Sequence, residues 1–218
     1  MENLTVYCLQ YAQSGLPESM VFDGGAAEKK IPISFAVYLI QTGSRKILID
    51  AGCDTMPGFV MENFSSPAAV LEQVSVACEE ITDVIITHAH HDHIEGVKHF
   101  KNATIHITKA EYEAGKPYIP RNMKVNVFEK EMAVNPQIKV MEWGGHAKAS
   151  AIVEVKAGGK THIFAGDECY TNANIEQNCC TGAFYNKEKA AAFVEKFRDE
   201  KYCVHTSHDI SLKTQRVV

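Results

Sequence analysis

Four histidines and one aspartate stand within six consecutive positions near the middle of this 218-residue chain. They follow an apolar, β-branched run, residues 84–86, which is typical of a buried strand, so the polar groups fall where that strand ends. His88 and His90 are two apart and leave the strand end on the same side. Asp92 and His93 are adjacent and point apart unless the backbone turns, which allows one short peptide to serve two neighbouring ions. Neutral imidazole and carboxylate are typical zinc ligands and also suit iron, nickel and manganese.

A structural interpretation competes with this one, because most single histidines are solvated or satisfied in a core. We apply it to four isolated residues: His99, His106, His162 and His205. The cluster at 88–93 is different, since it would place several ionisable groups in one low-dielectric spot at the end of an apolar strand. That arrangement is costly unless something binds the groups. The sequence therefore predicts a metal site.

Three further polar residues follow predicted strands: His146, Asp167 and His208. Each would be an ordinary loop side chain more often than a ligand when taken singly. A two-metal site needs more ligands than the central cluster supplies, and rigid elements are the places that fix ligand geometry. These three residues are the candidates that complete the set.

The run from His88 to His93 resembles the His-x-His-x-Asp-His signature of the metallo-β-lactamase superfamily. It is most similar to the branch of glyoxalase II and the N-acyl-homoserine-lactone lactonases, and the resemblance covers most of the chain from about residue 33 onward. It implies a four-layered αβ/βα sandwich of the α/β class, with two mixed sheets back to back, helices outside and the metals at one edge.

The resemblance also implies how seven ligands divide between two divalent transition-metal ions. In that family the matching positions are His88, His90 and His146 on one ion, Asp92, His93 and His208 on the other, and Asp167 bridging both. Zinc is the expected metal, with iron or manganese as alternatives. A bridging water or hydroxide would be activated by the two ions and attack the substrate carbonyl.

Two residues besides the ligands receive roles. Tyr170 stands three positions after Asp167, where the tyrosine of similar lactonases meets the substrate carbonyl or ring oxygen, and this implies catalysis by Tyr170 with help from Asp92 at the leaving alkoxide. The alternative is that Tyr170 only packs beside the site. Asp50 ends another apolar strand and is either a turn-initiating aspartate or, as we prefer, a buried acceptor that orients a metal-bound histidine.

Two stretches depart from the usual pattern of the family. The segment after His146 reads Ala147-Lys148-Ala149-Ser150, which lacks the usual proline and glycine and puts a cation near the mouth of the site, and position 91, commonly aromatic or aliphatic, is a histidine. The resemblance therefore implies a hydrolase that opens a lactone or related ester without fixing the substrate. A glyoxalase-II-like thioesterase is the alternative, although the helical substrate domain of that family is missing here.

Functions of other classes fit less well. A diiron redox protein of this fold would carry a glutamate in place of His90 and a fused flavin domain, and a non-catalytic metal-binding module would usually have lost ligands. A net charge of −5 gives no electrostatic case for nucleic acid or an anionic membrane, so a small molecule, a lactone, ester or thioester, is the expected partner.

We expect one domain, residues 1–218. Seven irregularly spaced cysteines and a start without signal-peptide features favour a cytoplasmic protein with reduced thiols.

The remaining pattern predicts alternating strands and helices, which indicates layers. Predicted strands are 3–10, 33–41, 46–50, 84–86, 103–108, 124–129, 138–142, 150–156, 161–165 and 202–206. Predicted helices are 66–80, 92–100, 109–114 and 187–200, and residues 170–185 are expected to be irregular.

Overall fold

Two mixed β-sheets form the centre of the structure, a computed structural model that describes residues 4–218. The first sheet contains β1 (Leu4–Pro17), β2 (Lys30–Thr42), β3 (Arg45–Ile49), β4 (Asp83–Ile85), β5 (Thr104–Thr108), β6 (Lys124–Phe128) and β12 (Gln215–Arg216). Its order is β12-β1-β2-β3-β4-β5-β6, and the pairs from β3 to β6 are parallel.

The second sheet contains β7 (Glu131–Asn135), β8 (Ile138–Glu142), β9 (Ala151–Ala157), β10 (Lys160–Phe164) and β11 (Tyr202–His205). Its order is β11-β10-β9-β8-β7, with β10 and β11 parallel. The helices are α1 (Glu18–Val21), α2 (Pro67–Glu72), α3 (His91–Ile94), α4 (Lys109–Gly115), α5 (Asn172–Glu176) and α6 (Lys187–Phe197), with 3₁₀ turns at Cys78–Glu80 and Glu95–His99.

Side-chain alternation along the strands divides the core into three layers of contacts. On β2, Phe35 and Val37 pack toward Val70 of α2 and the other groups on the outer face of the first sheet. Tyr38, from the opposite face of β2, packs between the sheets against residues such as Phe164. The far face of the second sheet is covered by α6. This order of layers confirms the predicted αβ/βα sandwich.

The first strand is longer than predicted. It continues past residue 10 because β1 stays paired with β2 as far as Pro17, opposite Lys30. The predicted start at Asn3 lies outside the described residues. Several short elements were not predicted, namely α1, β7, α5 and β12.

The predicted helix over 66–80 is wrong in length. The helix α2 ends at Glu72, and Ser75 has a left-handed φ of 57°, which a continuing right-handed helix does not allow. The backbone N–H of Val76 donates back to the carbonyl of Leu71, which closes the helix end.

The predicted helix over 92–100 is divided into α3 and a 3₁₀ turn. The N–H of Gly96 donates to the carbonyl of Gly52, 2.8 Å away, in place of a helical partner. A side chain could not replace this glycine, because a Cβ there would lie 2.2 Å from the carbonyl oxygen of Ala51. The approach of the two segments fixes α3 beside the end of β3.

Two further properties follow from the described residues. All seven cysteines are free in the structure. None of the helices within residues 4–218 combines the length and apolar character needed to cross a membrane.

Candidate metal centre

All seven predicted ligands meet at one edge of the sandwich, where the strands of both sheets end. Segments after β4, β8, β10 and β11 contribute, together with α3. The side chains form two groups, the first group being His88, His90, His146 and Asp167, and the second group being Asp92, His93 and His208. The structure therefore brings the seven residues together at one place.

The first group is arranged around the ring of His90. Its Nδ1 lies 3.0 Å from Nε2 of His88 and 2.9 Å from Nε2 of His146. Oδ2 of Asp167 lies 3.7 Å from the same His88 nitrogen and 3.6 Å from that of His146. Four potential donor atoms thus converge from both sheets.

The second group uses the other oxygen of Asp167. Oδ1 lies 3.3 Å from Nε2 of His93 and 3.3 Å from Nε2 of His208. Oδ2 of Asp92 lies 3.5 Å from each of the same two nitrogens. Asp167 therefore turns one oxygen toward each group, as a bridging carboxylate would.

The positions of these nitrogen and oxygen atoms are better explained by binding to metal ions than by hydrogen bonds among themselves. Nε2 of His93 and Oδ1 of Asp167 are buried and have no hydrogen-bond partner in the described chain. Orphaned buried polar atoms are costly unless something else binds them. Ligand atoms that surround a tetrahedral zinc ion stand roughly 3.4 Å apart, and the separations above are similar. The residues present can hold two such ions.

Hydrogen bonds at the outer ring nitrogens direct three imidazoles toward the centre. Nδ1 of His93 donates to Oδ2 of Asp50 at 2.8 Å, and Nδ1 of His208 donates to the Ser34 carbonyl at 2.9 Å. Nδ1 of His146 donates to the carbonyl of Ala183 at 2.5 Å. A ring that gives its Nδ1 proton away presents the lone pair of Nε2 to an ion.

Asp50 is the buried acceptor that our preferred interpretation required. Besides the His93 ring, its carboxylate accepts the N–H of Thr87 at 2.8 Å and the hydroxyl of the same residue. Its backbone has a left-handed φ of 62°, an uncommon conformation for a residue with a side chain. This uncommon backbone conformation brings the carboxylate of Asp50 within hydrogen-bond distance of Nδ1 of His93.

The electrostatics of the cluster follow from burial and from three carboxylates. Burial alone would lower the pKa of His93, but Asp167, Asp50 and Asp92 raise the pKa above its usual value. Burial lowers the pKa of His146 to about 4. Burial has the opposite effect on a carboxyl and would raise the pKa of Asp167. The imidazoles of His93 and His208 nevertheless hold that pKa well below its usual range. Bound dications would favour the same ionised carboxylate of Asp167, but they would need a neutral His93 ring, because only a neutral imidazole offers a lone pair to an ion.

Two buried glutamates hold the ligand-bearing loops in place. Glu111 accepts the N–H of Ala89 at 3.0 Å through one oxygen and the N–H of Ala149 at 2.9 Å through the other. Glu168 accepts the backbone N–H of His146 at 3.2 Å and the Ser150 hydroxyl. Burial raises the pKa of Glu168 to about 7.

We did not predict either role. The place of Glu168 directly after a candidate ligand is its one sequence signal. Glu111 has none, because its amide partners are 22 and 38 positions away.

Tyr170 lies beside both groups. Its ring centroid is 5.7 Å from that of His146 and 5.2 Å from that of His208. Burial raises the pKa of Tyr170 well above its usual value, so its hydroxyl keeps its proton and can donate.

Comparison with known proteins agrees with this fold. The sequence profile of the metallo-β-lactamase superfamily matches residues 36–204. The chain belongs to this superfamily. An N-acyl homoserine lactonase from Bacillus cereus is 27% identical over 205 residues, which are 79% of this chain and 80% of that protein.

Solved structures share the fold over nearly the whole chain. An N-acyl homoserine lactone hydrolase, with the product N-hexanoyl-L-homoserine bound at its catalytic metal centre, has a TM-score of 0.85 at 20% identity and covers 100% of both chains. The dizinc quorum-quenching lactonase AidC has a TM-score of 0.74 at 18% identity, covering 97% of this chain and 89% of that chain.

In this member of the metallo-β-lactamase superfamily, an apolar cavity of about 260 Å³ opens beside the candidate ligands. Both groups and Tyr170 border it. Its other walls are mainly apolar and include Leu16, Met20, Phe35, Met56 and Phe59. Such a lining suits an uncharged hydrocarbon portion of a small molecule.

Proposed function

We propose that the chain is a dinuclear metal-dependent hydrolase that opens a lactone or a related ester. The observation that carries this proposal is the convergence of seven side chains in two groups that share Asp167. The lactonase named among the relatives and the hydrolase structure with a bound lactone product support the substrate class. Seven free cysteines support a reducing compartment such as the cytoplasm.

In this proposal the first group would hold one ion and the second group the other, and Asp167 would offer one carboxylate oxygen to each. Zinc is the expected metal, because imidazole and carboxylate suit it and because AidC is a dizinc enzyme, while iron and manganese fit the same ligands. Two neighbouring dications, when bound, lower the pKa of a water toward neutrality and polarise a carbonyl. The chain needs no serine or cysteine nucleophile.

The remaining residues bind, orient and exchange protons. The apolar cavity excludes water around the hydrocarbon portion of the substrate. The Tyr170 hydroxyl donates a hydrogen bond to the substrate oxygen that gains negative charge, and such donors act most strongly in a buried site. Asp92 assists the departing alkoxide, because one of its carboxylate oxygens accepts the proton that the attacking water loses and passes it to the alkoxide oxygen. Asp50, through the His93 ring, keeps the second group in one orientation.

Metal content and turnover test the proposal together. Purified protein should hold two transition-metal ions per chain and should hydrolyse lactones faster than thioesters or phosphoesters. Asp167→Ala should lose at least one ion, because it removes the shared carboxylate. His99→Ala is the control and should lose none, because the His99 ring contacts Asp54, 2.9 Å away, rather than either group. One ion or fewer in the wild type, even after reloading, would contradict the dinuclear assignment.

A further inference from the structure

A second and more open groove borders the metal centre. It has a volume of about 520 Å³ and shares His90, His146 and Ala183 with the apolar cavity, so the two depressions meet at the first group. Short alanine side chains line much of it, and Lys148, Phe184 and Tyr185 also contribute to its wall. We call it the Lys148 groove. A substrate cleaved at the metal centre has two halves, and this geometry offers a separate space for each.

The charge of the Lys148 groove is set by one unpaired cation. Lys148 is exposed and forms no ion pair with any residue in 4–218. Glu111 is the one acidic residue in the lining, but it is only 4% exposed and both of its oxygens already accept backbone N–H groups. The two histidines in the lining belong to the first group. No described carboxylate therefore neutralises Lys148 in the groove.

The surroundings add positive charge. A Cβ at Gly144 would lie 3.0 Å from Nζ of Lys189 and 3.1 Å from the carbonyl oxygen of Lys148, so a second ammonium group lies against the same loop. Nζ of Lys187 lies 5.7 Å from the centre of the Phe184 ring, although that lysine also pairs with Asp23 at 2.7 Å. An anion that enters this groove meets more cations than acids.

The loop that carries Lys148 is held firmly. The N–H groups on both sides of it, at His146 and Ala149, are bound by the two buried glutamates described above. A lysine on a loop that is already ordered loses less conformational entropy when it binds an anion than a lysine on a free loop does. The loop thus presents Lys148 at a fixed place beside the first group.

We infer that the Lys148 groove binds a half of the substrate that carries an anionic group, a carboxylate or a phosphate, while the uncharged half occupies the apolar cavity. The preferred substrates are then acidic lactones or esters. This inference rests on the proposed hydrolase function. Lys148 acts in it as a residue that determines specificity by pairing with the anion, and the exposed faces of Phe184 and Tyr185 flank the bound group.

Three aryl esters that differ in charge test the inference on the metal-loaded protein. Phenyl acetate is neutral, 4-acetoxybenzoate carries a carboxylate, and 4-acetoxyphenyl phosphate carries a phosphate, which separates the two sources of negative charge. The ratio of kcat/KM for an anionic ester to that for phenyl acetate should fall about tenfold in Lys148→Gln. The fall should shrink at high salt, because the pair is only partly shielded from solvent.

Lys101→Gln is the matched control, since Lys101 is exposed and lines neither depression. Its ratio should equal that of the wild type, and both variants should keep the metal content of the wild type. An unchanged ratio in Lys148→Gln, or equal losses on neutral and anionic esters, would overturn the inference.

Calorimetry separates this inference from the proposed hydrolase function. If the loaded wild type hydrolyses no ester or lactone, the proposed function fails. The groove is then tested by titrating benzoate and phenyl phosphate into wild type and Lys148→Gln, both loaded with metal. Binding of either anion that is about tenfold weaker in the variant supports the groove as an anion site. The inference is overturned if benzoate and phenyl phosphate each bind Lys148→Gln with the same Kd as the wild type.

Discussion

Tyr170 is the residue that distinguishes a lactonase-like mechanism from general metal-dependent hydrolysis. Its ring contacts one histidine from each group, and its hydroxyl remains a proton donor because burial raises its pKa. A donor aimed at the oxygen that becomes charged stabilises the transition state more than the ground state. Its effect should therefore appear in kcat.

We expect Tyr170→Phe to lower kcat about 100-fold, by analogy with the removal of a single donor to an oxyanion. Metal content should stay at the wild-type value, since Tyr170 belongs to neither group. Steady-state kinetics and elemental analysis on the same samples measure both. Tyr202→Phe is the control, because Tyr202 packs against Phe197 on the outer side of the second sheet. Equal kcat values for wild type and Tyr170→Phe at equal metal content would leave Tyr170 as a packing residue.

Asp50 is not a candidate ligand, but it accepts a hydrogen bond from the ring of His93, which belongs to the second group. We expect Asp50→Asn to lower the affinity for one ion about 10- to 100-fold, because an amide is a weaker acceptor for the His93 ring. Asparagine tolerates the left-handed backbone found at this position, so the turn should survive. Competition with a chromogenic chelator measures the affinity.

Asp54→Asn is a closely matched control for Asp50→Asn. Asp54 also accepts from a histidine ring, that of His99 at 2.9 Å, but neither residue contacts a ligand group. The Asp54→Asn variant should bind both ions with the affinity of the wild type. The same weakening in both variants would show that general destabilisation, and not the orientation of His93, explains the loss.

At the scale of elements, loops from the two sheets depend on α4 for their relative position. Glu111, in the first turn of α4, binds the loop after β4 with one oxygen and the loop before β9 with the other. The first of these loops carries His88 and His90, and the second carries His146. The geometry of the first group is thus set partly by a residue that contacts no ion.

We expect Glu111→Gln to lose the ion of the first group and to keep that of the second, because the amide nitrogen of glutamine cannot accept either backbone N–H. Elemental analysis should fall from two ions per chain toward one. Glu113→Gln on the same helix is the control, since Glu113 is exposed and, within residues 4–218, pairs only with Lys116 at 2.6 Å. Two retained ions in Glu111→Gln would show that the loops hold their positions without it.

The elements that the sequence predicted well are those with strong internal patterns. Strands β4, β5 and β8 to β10 have β-branched runs, and α6 places Ala190, Phe193 and Phe197 on one face. Failures occur where tertiary contacts override the pattern. Apolar residues after α2 continue the helical period, yet Ser75 turns the chain away, and the close approach of Gly96 to Ala51 divides the helix that begins at the motif.

The site shows the same division between local and distant causes. The short motif, the strand ends and the resemblance to a known family together predicted the seven side chains that the structure brings to one place. The contacts of Glu111 and Glu168 depend on which loops the fold brings together. No spacing in one sequence carries that information.

At the scale of the whole molecule, bound metal should contribute substantially to stability, because the folded chain assembles ligands from both sheets and the unfolded chain does not. A ligand at a thousand times its Kd stabilises by about 4 kcal/mol, which corresponds to roughly 10 °C in Tm for a protein of this size. Thermal denaturation with and without a chelator should show a shift of that order. The shift should be clearly smaller in Asp167→Ala. Equal Tm values for metal-loaded and chelated wild type would contradict it.

The division of the candidate ligands between the two sheets has a further consequence for fragments of the chain. The segment up to β6 supplies His88, His90, Asp92 and His93, and the segment from β7 onward supplies His146, Asp167 and His208. Each group draws on both segments, so neither half of the chain contains a complete site for either ion. Truncation or fragmentation between β6 and β7 should abolish both sites at once, and recombining the two fragments should restore both or neither. A split version of the protein would therefore hold metal only when its two halves are reunited.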